Sequence, residues 1–240
     1  MIQTKNLTID YGNNNGIFNI NLTIEHGDIY AIVGHSGCGK TTLLHCLAGI
    51  LNPDKGTIRI NDHKGNVTPP GLIQQKDALF PWLDVFNNIA LGLNDSKKTV
   101  TNKINNILSH LDLIDYAHHY PAQLSGGQKQ RVSIARTLVS NPDVLLMDEP
   151  TASLDAFTKE ALQNLLLNLY TKEKRTTLFV THSIEEAVFL ARKILIMDQG
   201  IIVKTYTNPL EHHLNLRDSP DFYTVVKDIR SIMGGLQNEK

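Results

Sequence analysis

The chain has 240 residues, 41 % hydrophobic and 20 % charged, which is globular composition with length enough for a sizeable core. Its 23 basic and 24 acidic residues give a formal charge of −1, with none of the basic excess by which a nucleic-acid binder grips phosphates. Two cysteines, Cys38 and Cys46, are too few for a disulfide scaffold, and no run reaches the ~20 apolar residues that cross a bilayer.

In chain order, Met1–Asn6 lacks the apolar core of a secretory signal, so the expectation is a soluble, cytoplasmic chain. Ile20, Leu22 and Ile24 alternate with polar neighbours, as do Ile58 and Ile60, and predict strands. Ile29–Val33 is a continuous apolar run, the pattern of a strand buried on both faces. Thr41–Ala48 follows as helix, stopped near Gly49. Residues 84–120 read as helical around a loop at 94–98, and form a lobe inserted into the sheet domain. A helix is expected from about Ser125 to Val139, burying Val132, Ala135 and Leu138. Asn141-Pro142-Asp143 breaks it. Val144–Met147 and Thr177–Val180 read as buried strands around a helix from Phe157 to Tyr170. Strands alternating with helices predict a parallel sheet covered on both faces. Ile194–Met197 and Ile201–Val203 flank a hairpin turn at Gln199-Gly200. The tail, 207–240, holds a last helix with Ser219 as cap, Pro220 in its first turn, an apolar stripe from Phe222 to Met233, and an end at Gly234-Gly235.

Two motifs carry chemistry. Gly34-His35-Ser36-Gly37-Cys38-Gly39-Lys40-Thr41 has the form G-x-x-x-x-G-K-T. Its glycines let the backbone curl so that N–H groups point inward at phosphate oxygens, and the following helix adds its positive N-terminal dipole. Lys40 is expected to reach the β- and γ-phosphates, Thr41 to bind Mg²⁺ and Thr42 to add an α-phosphate contact. His35, Ser36 and Cys38 contribute mainly backbone. Asp148-Glu149 emerges at the C-terminal end of the Val144 strand, where parallel α/β sheets place their ligands. Asp148 is expected to hold Mg²⁺, and Glu149 to polarise the attacking water as general base.

Over residues 1–205 the chain resembles the nucleotide-binding subunit of an ABC (ATP-binding cassette) transporter. Leu124-Ser125-Gly126-Gly127-Gln128 matches the family signature, Val144–Glu149 the Walker B strand and Ala152-Ser153-Leu154-Asp155 the D-loop. His182, after Phe179-Val180-Thr181, matches the switch histidine, and Tyr11 the aromatic that stacks on adenine. Gln75 matches the Q-loop glutamine and is preferred to Gln74 because Phe80-Pro81 follows five positions later. The resemblance implies an α/β fold: a P-loop NTPase core with a mostly parallel sheet, an N-terminal antiparallel β subdomain and an inserted α-helical lobe at about 84–139. The whole of 1–240 is then a single ABC ATPase domain.

The resemblance also implies how these residues work. Ser125, Gly126, Gly127 and Gln128 form a second anion site at a helix N-terminus, without a second P-loop beside it. Two copies in head-to-tail contact would complete each pocket, with Asp155 reaching the opposite site. His182 would fix the γ-phosphate and the water, and Gln75 would sense Mg²⁺ and the γ-phosphate. The apolar cluster Leu79–Leu83, with the chain's one Trp, is either core of the second lobe or a groove for a short helix of a membrane subunit.

The expected partners are a second copy, integral permease subunits and an extracytoplasmic solute-binding protein, with the chain peripheral on the cytoplasmic face of the membrane. The expected cofactors are ATP and Mg²⁺. The Leu-Phe-Pro-Trp stretch resembles subunits of nitrate, sulfonate, taurine or thiamine-precursor importers. The alternative is a soluble ABC ATPase of the scaffold-assembly type; the 49-residue interval between Gln75 and Leu124 leaves no space for the long coiled coil of chromosome and repair relatives.

Overall fold

The computed structural model describes residues 1–240 except 75–78, 94, 153, 212, 239 and 240. The chain opens with β1 (Ile2–Asp10), β2 (Gly16–Ile24), β3 (Ile29–Val33), α1 (Lys40–Leu47), β4 (Lys55–Ile60) and β5 (Gly71–Ile73). A helical stretch follows, with α2 (Val85–Ala90), α3 (Lys97–His110) and α4 (Gly126–Leu138). The second half runs β6 (Val144–Asp148), α5 (Ala156–Glu173), β7 (Thr176–Val180), α6 (Ile184–Leu190), β8 (Lys193–Asp198), β9 (Ile201–Thr207) and α7 (Pro220–Asn238).

Two sheets result. One is antiparallel, in the order β2-β1-β4; the other has the order β5-β6-β7-β3-β8-β9, parallel except for its last strand. The wholly apolar strands still obey the two-residue period, because each alternates between two cores. Tyr30 and Ile32, Val144 and Leu146, and Leu178 and Val180 pack with α1 and the antiparallel sheet. Ala31 and Val33, Leu145 and Met147, and Phe179 pack with the helices of the opposite face, α4 to α7. The large sheet is therefore a rigid middle layer, and its strand ends are fixed points for the loops between them.

Several local expectations need correction. Residues 97 and 98 are helical, because the Ser96 side chain caps α3 by accepting from Thr99 N–H. The last helix does not stop at Gly234-Gly235 but runs to Asn238. Its apolar stripe spans the glycines: Ile232 and Met233 before them and Leu236 after them pack on the core. That packing outweighs a propensity cost of about 1 kcal/mol per glycine. The short strand β5 and the short helix α6 join the elements read from the sequence pattern.

Trp82 is not core: it is 68 % exposed, with its ring centroid 5.4 Å from that of Phe80, itself partly exposed. What holds this turn is polar. Asn88 is fully buried, accepts from Phe80 N–H and donates to the carbonyls of Phe80, Leu83 and Asp84. The loop is fixed from below while its aromatic rings stand in solvent.

Candidate functional site

The glycine-rich loop leaves β3 at Val33 and enters α1 at Lys40. Gly39 stands at the helix N-cap with φ 101°, a conformation that disfavours a side chain. It also has no space for one, since a Cβ there would lie 2.8 Å from Gly16 O and 2.9 Å from Ile17 Cγ2. The turn from strand to helix is thus tight enough to bring the β2 hairpin against the loop. Between them opens a cleft of about 320 Å³ lined by Ser36, Gly37 and Lys40–Thr42 on one wall and Tyr11, Asn15 and Gly16 on the other, with Glu149 at one end. Tyr11 is more than half exposed and its loop is pinned by a hydrogen bond from its N–H to Asn15 O.

Lys40 is 8 % exposed, and its ammonium donates to the carbonyls of Gly34 and His35 at 2.9 Å each. Cys38 Sγ lies 3.8 Å from the same Nζ, yet burial raises the pKa of this thiol. Thr41 Oγ1 donates to Asp148 Oδ1 at 3.3 Å, which joins the start of α1 to the end of β6. Asp148 is buried, and the loss of water raises its pKa, with His45 and the Thr41 hydroxyl pulling the other way. His45, whose Nε2 is 3.9 Å from Asp148 Oδ2, belongs to none of the sequence motifs; only its place one turn beyond Thr41 on α1 could have suggested it.

Glu149 sits just past β6 with φ 47°, in the left-handed region that glycine and asparagine favour, and its N–H donates to Val180 O at 3.0 Å. That bond continues the β6–β7 ladder one step further. Its carboxylate lies 3.3 Å from His182 Nδ1, beyond the end of the neighbouring strand. Asp148, Glu149 and His182 are therefore brought together by the register of β6 against β7.

The signature residues lie elsewhere. None of residues 124–128 and not Asp155 lines the P-loop cleft. Ser125 is the N-cap of α4: its Oγ accepts from Gln128 N–H at 3.3 Å, and Gln128 Oε1 accepts from Ser125 N–H at 2.8 Å. The Gln128 carboxamide oxygen thus serves the cap. Gly126 is open to solvent, while Gly127 is buried, and a Cβ on it would lie 2.2 Å from Thr158 Cγ2. Gly127 is small because α4 meets α5 there. Asp155 caps α5, accepting from Phe157 N–H and Thr158 N–H at 3.1 Å and from Thr158 Oγ1 at 2.6 Å; the Thr158 bonds hold its carboxyl below the usual range. The two cap residues thereby flank one helix–helix contact. Gln75 lies outside the described residues, as does Ser153 of the D-loop.

Residues 17–152 match the sequence pattern of the ABC transporter family. The aliphatic sulfonates import ATP-binding protein SsuB of Bacillus anthracis is 43 % identical over 203 residues, 82 % of this chain and 80 % of that protein. The taurine import ATP-binding protein TauB of Escherichia coli is 40 % identical over 205 residues, 83 % of this chain and 80 % of that one. Among solved structures, the dimeric structure of MJ0796, a bacterial ABC transporter cassette, superposes with a TM-score of 0.76 at 30 % identity over 88 % of this chain and 100 % of that one. The same cassette in a post-hydrolysis state bound to ADP and Pi gives 0.74. The chain belongs to the ABC transporter family and is one of its ATP-hydrolysing cassettes.

Proposed function

We propose that this chain powers import of a small sulfonate-type solute, working as a head-to-tail pair with ATP between the copies, on the cytoplasmic face of a membrane. The observation that carries the paired arrangement is the separation of two phosphate-type sites on one protomer. The P-loop cleft is walled on one side by Tyr11, Asn15 and Gly16, and the capped N-terminus of α4 stands apart from it. Each is half of a pocket that a twin completes. The names of the relatives support the solute class, and the dimeric state of the MJ0796 cassette supports the pairing.

In this reading the P-loop N–H groups and Lys40 hold the phosphates, and Tyr11 stacks on the adenine. Thr41 and Asp148 would hold Mg²⁺. Their oxygens fit a hard cation, they already lie 3.3 Å apart, and a divalent charge would offset the burial that raises the Asp148 pKa. The ion supplies neutralisation of phosphate charge. Glu149 accepts the proton of the attacking water, and His182 holds Glu149 and the γ-phosphate in line. Ser125 and the N–H groups of Gly126 and Gly127 face the phosphates held by the partner copy, with Asp155 beside them. Gln75, in the segment before Leu79, is the proposed sensor between the nucleotide and the helical stretch. The exposed pair Phe80 and Trp82 receives the membrane subunit. An extracytoplasmic binding protein delivers the solute on the far side.

The test is isolation of the tagged chain from membranes in mild detergent. An integral membrane protein should co-purify, and ATP turnover of the reconstituted assembly should rise with taurine or an alkanesulfonate plus its binding protein. Recovery with soluble partners alone, and turnover indifferent to sulfonates, would favour the scaffold-assembly reading.

A further inference from the structure

Behind the pair Glu149 and His182 lies a second carboxylate for which the proposed hydrolytic steps have no use. Glu186, in the first turn of α6, is 2 % exposed. Its Oε1 accepts from Thr151 Oγ1 at 2.5 Å and from Gln163 Nε2 at 3.1 Å, and its Oε2 accepts from Thr181 Oγ1 at 2.5 Å. Thr151 is two residues past Glu149, and Thr181 immediately precedes His182. One carboxylate therefore ties the loop that follows β6 to the loop that follows β7.

The tie to His182 is doubled. Thr181 Oγ1 donates to Glu186 and also accepts from Ser183 N–H at 3.0 Å, so the residues on both sides of His182 are held by one hydroxyl. Ser183 in turn caps α6, its Oγ accepting from Glu186 N–H at 3.2 Å. The sequence Ser183-x-x-Glu186 has the form of a capping box, in which the glutamate would reach back to the cap N–H. Here the Thr181 hydroxyl takes that N–H, and the glutamate holds the threonine. The displaced carboxylate reaches across to Thr151 instead.

Gln163, the third donor, is fixed from the chain's tail. Its Oε1 accepts from Arg217 Nη2 at 2.6 Å, and the Arg217 guanidinium lies 3.4 Å above the centre of the Phe189 ring on α6. Three donors on a buried carboxylate, with two of the three on catalytic loops, exceed what anchoring α6 requires.

We infer that Glu186 is a positioning residue for ATP hydrolysis, a clip that sets the Glu149 loop against the His182 loop through Thr151 and Thr181. The inference rests on the roles proposed above for Glu149 and His182. A buried acceptor with donors from both loops fixes their separation, and reactive geometry is sensitive to shifts well below the length of a bond to substrate.

The test uses the full chain with ATP, comparing Glu186→Gln, Thr181→Val and Thr181→Ser with the parent, and Glu149→Gln as a control. Steady-state turnover, ATP affinity by equilibrium binding and thermal midpoint are measured for each. The clip predicts that Glu186→Gln and Thr181→Val lower kcat by about tenfold to a hundredfold per folded molecule, with ATP affinity within about threefold of the parent. Thr181→Ser, which keeps the hydroxyl, should recover most of the turnover that Thr181→Val loses. Turnover within about twofold of the parent in both Glu186→Gln and Thr181→Val would overturn the inference, as would a serine variant as slow as the valine one. If Glu149→Gln itself hydrolyses ATP normally, the roles of Glu149 and His182 fail first; if it is inactive while Glu186→Gln is not, only the clip fails.

Discussion

Glu149 Oε2 lies 3.3 Å from His182 Nδ1, although 33 residues separate them in sequence. The contact follows from parallel pairing of β6 with β7, in which Asp148 stands opposite Val180, so the next residues of both strands leave the sheet side by side. Substituting Glu149 by Gln keeps the side chain's shape and removes its basicity. Turnover should fall by about 10²-fold or more while ATP binding persists. Rapid-quench measurement of Pi release against fluorescent-nucleotide affinity separates the two quantities; a variant losing both would point to a binding role.

Gly127→Ala should destabilise the fold by about 1–3 kcal/mol, because the new methyl meets Thr158 Cγ2 at 2.2 Å where α4 abuts α5. Gly126→Ala meets no atom within 4 Å and should leave stability within about 0.5 kcal/mol. Adding Thr158→Ser to Gly127→Ala removes the opposing methyl and should restore part of the loss, a non-additivity readable by urea denaturation.

Both cysteines are buried, and burial raises both thiol pKa values, so each remains a neutral thiol at neutral pH and ionises only above the range of a free thiol. A disulfide reagent near neutral pH should label neither in the native chain within minutes and both after addition of denaturant. Rapid native labelling of one equivalent, lost on Cys38→Ser, would show that Cys38 beside Lys40 is a reactive thiol.

Trp82→Ala should leave the thermal midpoint of the isolated chain within a few degrees, because the indole is 68 % exposed and the turn is held by Asn88. The same substitution should weaken co-purification with the membrane subunit. Unfolding of the isolated variant would return Trp82 to the core.

Much of this molecule is legible in its sequence. The apolar runs at Ile29–Val33 and Val144–Met147 mark strands because buried parallel strands tolerate little else, and Gln199-Gly200 marks a hairpin because a tight turn needs the positive φ that both residues take. The loop of Gly34–Thr41 is legible for a stereochemical reason: at Gly39 neither φ nor space admits a side chain. Other features depend on contacts that no local pattern encodes. Whether Trp82 is core or surface turned on Asn88, a polar residue whose burial gives no periodic signal. Gly127 reads as a glycine that bares its N–H at a helix N-terminus, but that it must also be small for packing depends on Thr158, 31 residues away. Glu186 reads as half of a capping box, and its reach to Thr151 exists only once β6 and β7 are adjacent. Helix α7 outlasts its glycines because tertiary packing overrides propensity.

In the arrangement proposed here, each protomer carries two incomplete sites, and ATP joins a pair of copies. Gel filtration of Glu149→Gln with light-scattering detection, with and without Mg-ATP, decides whether that is so. A monomer is expected without nucleotide and a dimer holding two ATP with it, the dimer being lost again when Ser125 is replaced by a bulky acidic residue. Full ATP affinity in a species that stays monomeric at every protein concentration would refute the pairing.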